Sequence, residues 1–112
     1  MKILLDIDDT ALISKDRGKT YQEHPRLHEL ISKHTVILFS GNPDVEIYHH
    51  KWNTKGYIPK GGFEFPIADV LIDNNDDLHI IEVVVKESFQ SIDAFFKKYN
   101  QNYKSCRLNN DS

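Results

Sequence analysis

In the stretch Asp6-Ile7-Asp8-Asp9-Thr10, three carboxylates and a hydroxyl fall within five residues, directly behind the apolar run Ile3-Leu4-Leu5. Carboxylates this close repel one another, so the cluster needs either a cation to neutralise it or a proton held on one acid for chemistry. If Leu5 closes a buried parallel strand, Asp6 and Asp8 leave its carboxyl end on one side at the two-residue period. That is where open α/β sheets bind their ligands. Two more polar clusters follow apolar runs: Ser40-Gly41-Asn42 behind residues 35–39, and Asp73 to Asp77 behind residues 68–72.

Strands and crossovers must position such clusters. Residues 2–6 read as a short, buried first strand. Residues 11–14 and 19–21 flank Lys15-Asp16-Arg17-Gly18, a turn sequence that predicts a small hairpin beside the acids. Pro25 suits a first helical turn, and Leu27, Leu30 and Ile31 share one face of a helix reaching about His34. Residues 35–39 form a second strand, apolar enough to be buried on both faces.

Asn42 as N-cap and Pro43 as first helical residue predict a second helix to about Trp52. Tyr57-Ile58 reads as a third strand, 68–72 as a fourth, and 79–85, rich in β-branched residues, as a fifth. A last helix is expected from Ser88 to about Tyr99, followed by a polar tail. The expected fold is one α/β domain over 1–112, a Rossmann-like parallel sheet of about five strands with helices on both faces. In that sheet the polar clusters converge on one edge.

Composition bounds the function. A chain of 112 residues holds one core with little length for appended modules. No run approaches the roughly 20 apolar residues of a membrane helix, and no secretory leader pattern precedes the acids, so no membrane partner and a cytoplasmic location are expected. Cys106 is the sole cysteine, which excludes an internal disulfide. A formal charge of -3 gives no global attraction for nucleic acid, although a local basic surface such as Lys15, Arg17 and Lys19 could steer an anion. The six histidines lack a cysteine or glutamate framework at zinc spacing.

Taken in order, Asp6-x-Asp8-x-Thr10, Ser40, a lysine, and Asp73 with Asp77 resemble the four motifs of the haloacid dehalogenase superfamily. The resemblance covers almost the whole chain and implies a role for each residue. Asp6 would be the nucleophile, giving an aspartyl-phosphate, and Asp8 the general acid and base. An acid at the Asp8 position is found in the phosphatases of the superfamily, whereas dehalogenases lack it and ion pumps carry threonine. Thr10, Ser40 and the backbone at Gly41 would bind phosphoryl oxygens.

The resemblance further implies Mg²⁺, held by Asp6, the Asp8 carbonyl and Asp73, with Asp77 or its alternative Asp76 behind it. The motif lysine is Lys60 or Lys55; Lys60 is preferred, being nearer Asp73 and set among glycines. Asp9 has no assigned chemistry and is expected to point away from the site.

About 29 residues separate Thr10 from Ser40 and about 20 separate Ser40 from Lys60, enough for a crossover each but not for an inserted cap. The sequence thus resembles a small capless member, with the hairpin as its flap. An open site suits a phosphate on a bulky substrate, such as a nucleotide or a macromolecular end, or a homo-oligomer that closes it. The segment 68–73 also resembles the fourth motif of nucleotidases. The expected activity is Mg²⁺-dependent hydrolysis of a phosphate monoester. The alternative is a catalytically silent phosphate-binding or regulatory protein on the same fold.

Overall fold

The computed structural model describes residues 1–62, 66–74 and 83–99. Five parallel strands form its sheet: β1 (Lys2–Leu5), β4 (Thr35–Ser40), β5 (Gly56–Pro59), β6 (Val70–Ile72) and β7 (Glu87–Phe89), in the order β5-β4-β1-β6-β7. The hairpin pairs β2 (Leu12–Ile13) with β3 (Gln22–Glu23), so its second strand begins later than the expected 19–21. Helices α1 (Leu27–Lys33) and α2 (Val45–Trp52) follow the hairpin and β4, and α3 runs over 92–99.

Alternation along the strands divides the core in two. Ile3, Leu5, Val36, Leu38, Val70 and Ile72 face one way, together with Leu27 and Leu30 of α1, Val45 and Trp52 of α2, and Ile92, Phe95 and Phe96 of α3. Leu4, Phe39 and Leu71 face the other way, with Ala68, Val83 and Val85. Helices on both faces were expected; among the described residues all three pack on one. Right-handed crossovers explain the placement of α1 and α2. The chain steps one way from β1 to β4 and β5, then crosses back to β6 and β7, which puts described residues of the later connections on the second face. Those connections supply Ala68, Val83 and Val85.

The fifth strand also departs from expectation. Residues 75–82 lie outside the described part, and the run Val83-Val84-Val85 makes only a single bridge, Ile67 to Val84. Regular pairing begins at Glu87, where the start of the last helix was expected, and Ser88 is a strand residue. Ser91 begins the helix instead. Its Oγ accepts the Ala94 N–H at 3.0 Å and its carbonyl accepts that of Phe95, which is N-capping. Phe89 then turns its ring onto Phe95 and Tyr99.

The second helix starts at Val45 rather than Pro43. Asn42 makes a turn before it, its Oδ1 accepting the Asp44 N–H at 2.8 Å and its carbonyl that of Val45. Likewise α1 begins two residues after Pro25, since a turn from His24 to Leu27 precedes it.

Candidate active site

β1 lies at the centre of the sheet, and the chain leaves it toward β4 but leaves β6 toward β7. The crevice of such a reversal opens between the carboxyl ends of β1 and β6, and the residues just past those strands are Asp6 and Asp73. Both remain in the ladder: the Asp6 N–H donates to Ile72 O and the Asp73 N–H to Phe89 O, each at 2.9 Å. Lys60, just past β5, is held the same way, its N–H donating to the carbonyl of Ser40, the last residue of β4. Four adjacent strands therefore present Lys60, Ser40, Asp6 and Asp73 along one edge.

The side chains converge. Lys60 passes over the Phe39 ring, and its Nζ donates to Asp73 Oδ2 at 2.6 Å while standing 3.5 Å from Asp6 Oδ1. Thr10 Oγ1 lies 3.4 Å from Asp6 Oδ2 and accepts the Asn74 N–H at 3.3 Å, linking the loop after β1 to the loop after β6. Asp6, Thr10, Ser40 and Asp73 are all buried. Lys55 is elsewhere: its N–H donates to Val36 O at the amino end of β5, and the four residues of the strand carry the two lysines to opposite edges.

No protein-family model, curated protein or solved structure matches this chain.

The charges at the edge are unequal. Lys60 makes a close ion pair with Asp73 and only a distant one with Asp6. Burial, and after it the charge of Asp73, push the Asp6 carboxyl up to about 6, against the pull of Lys60. Asp6 is thus a buried carboxylate that Lys60 compensates only weakly.

Asp8 is exposed, and its Oδ1 accepts from Asn42 Nδ2 at 3.1 Å. Because Asn42 Oδ1 is occupied by the Asp44 N–H, the amide is oriented to donate to Asp8. The Asn42 N–H also donates to Ser40 Oγ at 3.0 Å. Sequence reading took Asn42 for a helix cap and missed this contact, which brings the loops after β1 and β4 together. The signal available was its position two residues past Ser40. A methyl group placed on Gly41 would meet no atom within 4 Å, so this exposed glycine leaves space in front of the strand end rather than relieving crowding within the protein. Asp77 and its alternative Asp76 lie outside the described residues.

Among the described residues, no three side chains of His, Cys, Asp or Glu converge on a common metal position. Two carboxylates, Asp6 and Asp73, stand close enough to raise the pKa of one of them. Mg²⁺ keeps most of its waters and needs only one or two carboxylates, so this donor set fits that ion and not an all-protein cage. Asp9, exposed with φ of 60°, takes the left-handed conformation and turns the chain between Asp8 and Thr10.

Proposed function

We propose that this protein is a small, capless phosphatase of the haloacid dehalogenase type, hydrolysing a phosphate monoester through Asp6. The observation that carries the reading is the meeting of Asp6, Lys60 and Asp73 past three separate parallel strands, with Thr10 and Ser40 buried beside them. The five-stranded parallel sheet, reversing its order at β1, gives the Rossmann-like frame such a site needs.

An Asp6 oxygen attacks phosphorus in line with the ester oxygen, forming an aspartyl-phosphate as the P–O bond to the alcohol breaks. Asp8 gives its proton to the departing oxygen, then takes a proton from the water that attacks the aspartyl-phosphate. That second displacement releases inorganic phosphate and restores the Asp6 carboxylate. Lys60, Thr10 and the Ser40-Gly41 strand end face the non-bridging oxygens, where charge spreads in transit. Asp6, the Asp8 carbonyl and Asp73 would hold Mg²⁺, which supplies charge neutralisation to the phosphoryl group.

A panel of nucleotides, 3′- and 5′-phosphorylated oligonucleotides, sugar phosphates and phosphopeptides, assayed with Mg²⁺ and with chelator, tests the reading. Expected are Mg²⁺-dependent turnover and its loss by at least ~10⁴-fold in Asp6→Asn, with the fold intact by circular dichroism. Retained turnover in Asp6→Asn, or no turnover of any ester by the wild type, overturns it; the latter favours the phosphate-binding alternative.

A further inference from the structure

The hairpin that springs from the site is a built object with its cations turned outward. Lys15, Arg17 and Lys19 are all exposed. The one carboxylate between them, Asp16, is turned into the turn: its Oδ1 accepts from Ser14 Oγ at 2.8 Å and the Thr20 N–H at 2.9 Å, and its Oδ2 accepts from Thr20 Oγ1 at 2.7 Å. The Gly18 N–H closes the loop onto Ser14 Oγ at 2.7 Å. Consecutive left-handed residues, Arg17 at φ 62° and Gly18 at φ 88°, reverse the chain at the tip. The hydrogen bonds from Thr20 and Ser14 hold Asp16 down to about 2, so it stays ionised and committed to the turn.

Tyr21 follows directly. It is 49% exposed, and its hydroxyl lies within 3.5 Å of where a Gly18 side chain would start, so the ring stands beside the basic tip. An exposed aromatic flanked by cations is the arrangement on which bases of single-stranded nucleic acid stack while phosphates run along the charges.

The hairpin is tied to the site at its base. Leu12 N–H donates to Ile7 O and His24 N–H to Ala11 O, and Glu23 accepts from Trp52 Nε1 of α2 at 2.7 Å. Lys15 is five positions past Thr10, which keeps it within about 17 Å of that residue. Asp6, Asp8, Asp9 and Asp73 around the crevice repel a polyanion, so the flap is where one would gain a hold.

We propose that the substrate is a single-stranded nucleic acid with a terminal phosphate, whose end enters at Asp6 while its internal phosphates lie on Lys15, Arg17 and Lys19 and a base stacks on Tyr21. The substrate assignment rests on the phosphatase reading; the binding surface does not. A sugar phosphate brings only the scissile phosphate, and a phosphopeptide lacks the run of phosphates and alternating bases that would meet three cations and an aromatic together.

The test measures binding of a fluorescent 5′-phosphorylated ten-nucleotide single strand to the full chain by anisotropy, across a salt series in chelator. Alongside it, kcat/KM for that oligonucleotide is compared with kcat/KM for p-nitrophenyl phosphate in Mg²⁺. The variant Lys15→Gln/Arg17→Asn/Lys19→Gln keeps Asp16 and Gly18, and asparagine tolerates the left-handed position.

Expected for that variant is at least a tenfold loss of affinity, a salt slope shallower by about 2, and a fall in the oligonucleotide-to-small-ester ratio. Tyr21→Ala should weaken binding about tenfold and Tyr21→Phe restore it. Flap-dependent binding without ester hydrolysis would sink the phosphatase reading and leave this surface standing. Ester hydrolysis with oligonucleotide binding that ignores the flap variants, or a preference for phosphopeptide or sugar phosphate, would overturn the proposal and leave the phosphatase reading standing.

Discussion

The two edges of the sheet are ends of the same apolar strands, yet they treat polar groups in opposite ways. At the amino edge, Met1, His34, Thr35, Trp52 and Lys55 border a hollow of about 540 Å³ whose lining contains no carboxylate. Its charges stay in water: Lys33 and Lys55 are exposed, and Lys33 pairs with Glu29 along its own helix. At the carboxyl edge the charges are buried instead. Asp6 and Asp73 are buried within reach of one another, offset by a lysine whose side chain is only 14% exposed. An open hollow costs a fold little, whereas buried like charges cost several kcal/mol unless compensated. The penalised edge is therefore the better candidate for function.

The sharpest way to break that comparison uses the two lysines at the ends of β5. Removing Lys60 leaves Asp6 and Asp73 facing each other and takes a cation from the phosphoryl oxygens. Lys60→Ala should lower kcat/KM by roughly 10²–10³-fold, as loss of one transition-state donor does. Lys55→Ala, altering only the amino edge, should leave steady-state kinetics within about twofold. The reverse outcome would move the chemistry to the hollow.

A second measure is the pH dependence of stability that Asp6 contributes, read as the difference between wild type and Asp6→Asn. The Asp6 carboxyl lies near 6 in the folded chain and near 3.8 in its absence, so between those values the folded state binds more protons than the unfolded. Stability therefore falls as pH rises through that window, and the penalty is complete above about 6. In chelator, Asp6→Asn should lack this component and be more stable than wild type above that pH, by on the order of 3 kcal/mol. A difference between wild type and variant that rises over the window, or a variant less stable than wild type at neutral pH, would show that Lys60 outweighs burial and Asp73.

The third test concerns Asn42, which holds Asp8 where a departing oxygen would receive its proton. Asn42→Ala should lower kcat about tenfold for an alkyl phosphate while changing KM little. It should cost much less for p-nitrophenyl phosphate, whose leaving group departs without a proton. Equal losses on both esters would reduce Asn42 to a turn former ahead of α2.

Much of this edge was legible because it is local. Apolar runs end in polar clusters after residues 5, 39 and 72, and parallel strands bring such ends together whatever their separation in sequence. The choice between Lys60 and Lys55 needed the register of β5, which no pattern over Gly56–Pro59 reveals. Ser88 and Ser91 are both of a type that caps helices, and the expected start was Ser88. Pairing of Glu87–Phe89 with β6 decided between them, and that is a tertiary fact. The one-sided helix packing was hidden for the same reason: it follows from the direction in which each crossover steps, and strand order is not written in periodicity.

Asp9 gives the smallest expected effect and the finest discrimination, since it shares the acidic cluster without sharing the edge. It is exposed and left-handed at φ 60°, a conformation that aspartate, asparagine and glycine tolerate and β-branched residues do not. Its conformation, and not its charge, accounts for an acid at this position. Asp9→Asn and Asp9→Gly should keep kcat/KM within about twofold and shift the melting temperature little. Asp9→Val should destabilise by about 1 kcal/mol through backbone strain, with activity at low temperature retained. If instead Asp9→Asn loses Mg²⁺-dependent turnover while Asp9→Gly still folds, the middle carboxylate is a ligand and the penalised edge extends one residue further than its buried members mark.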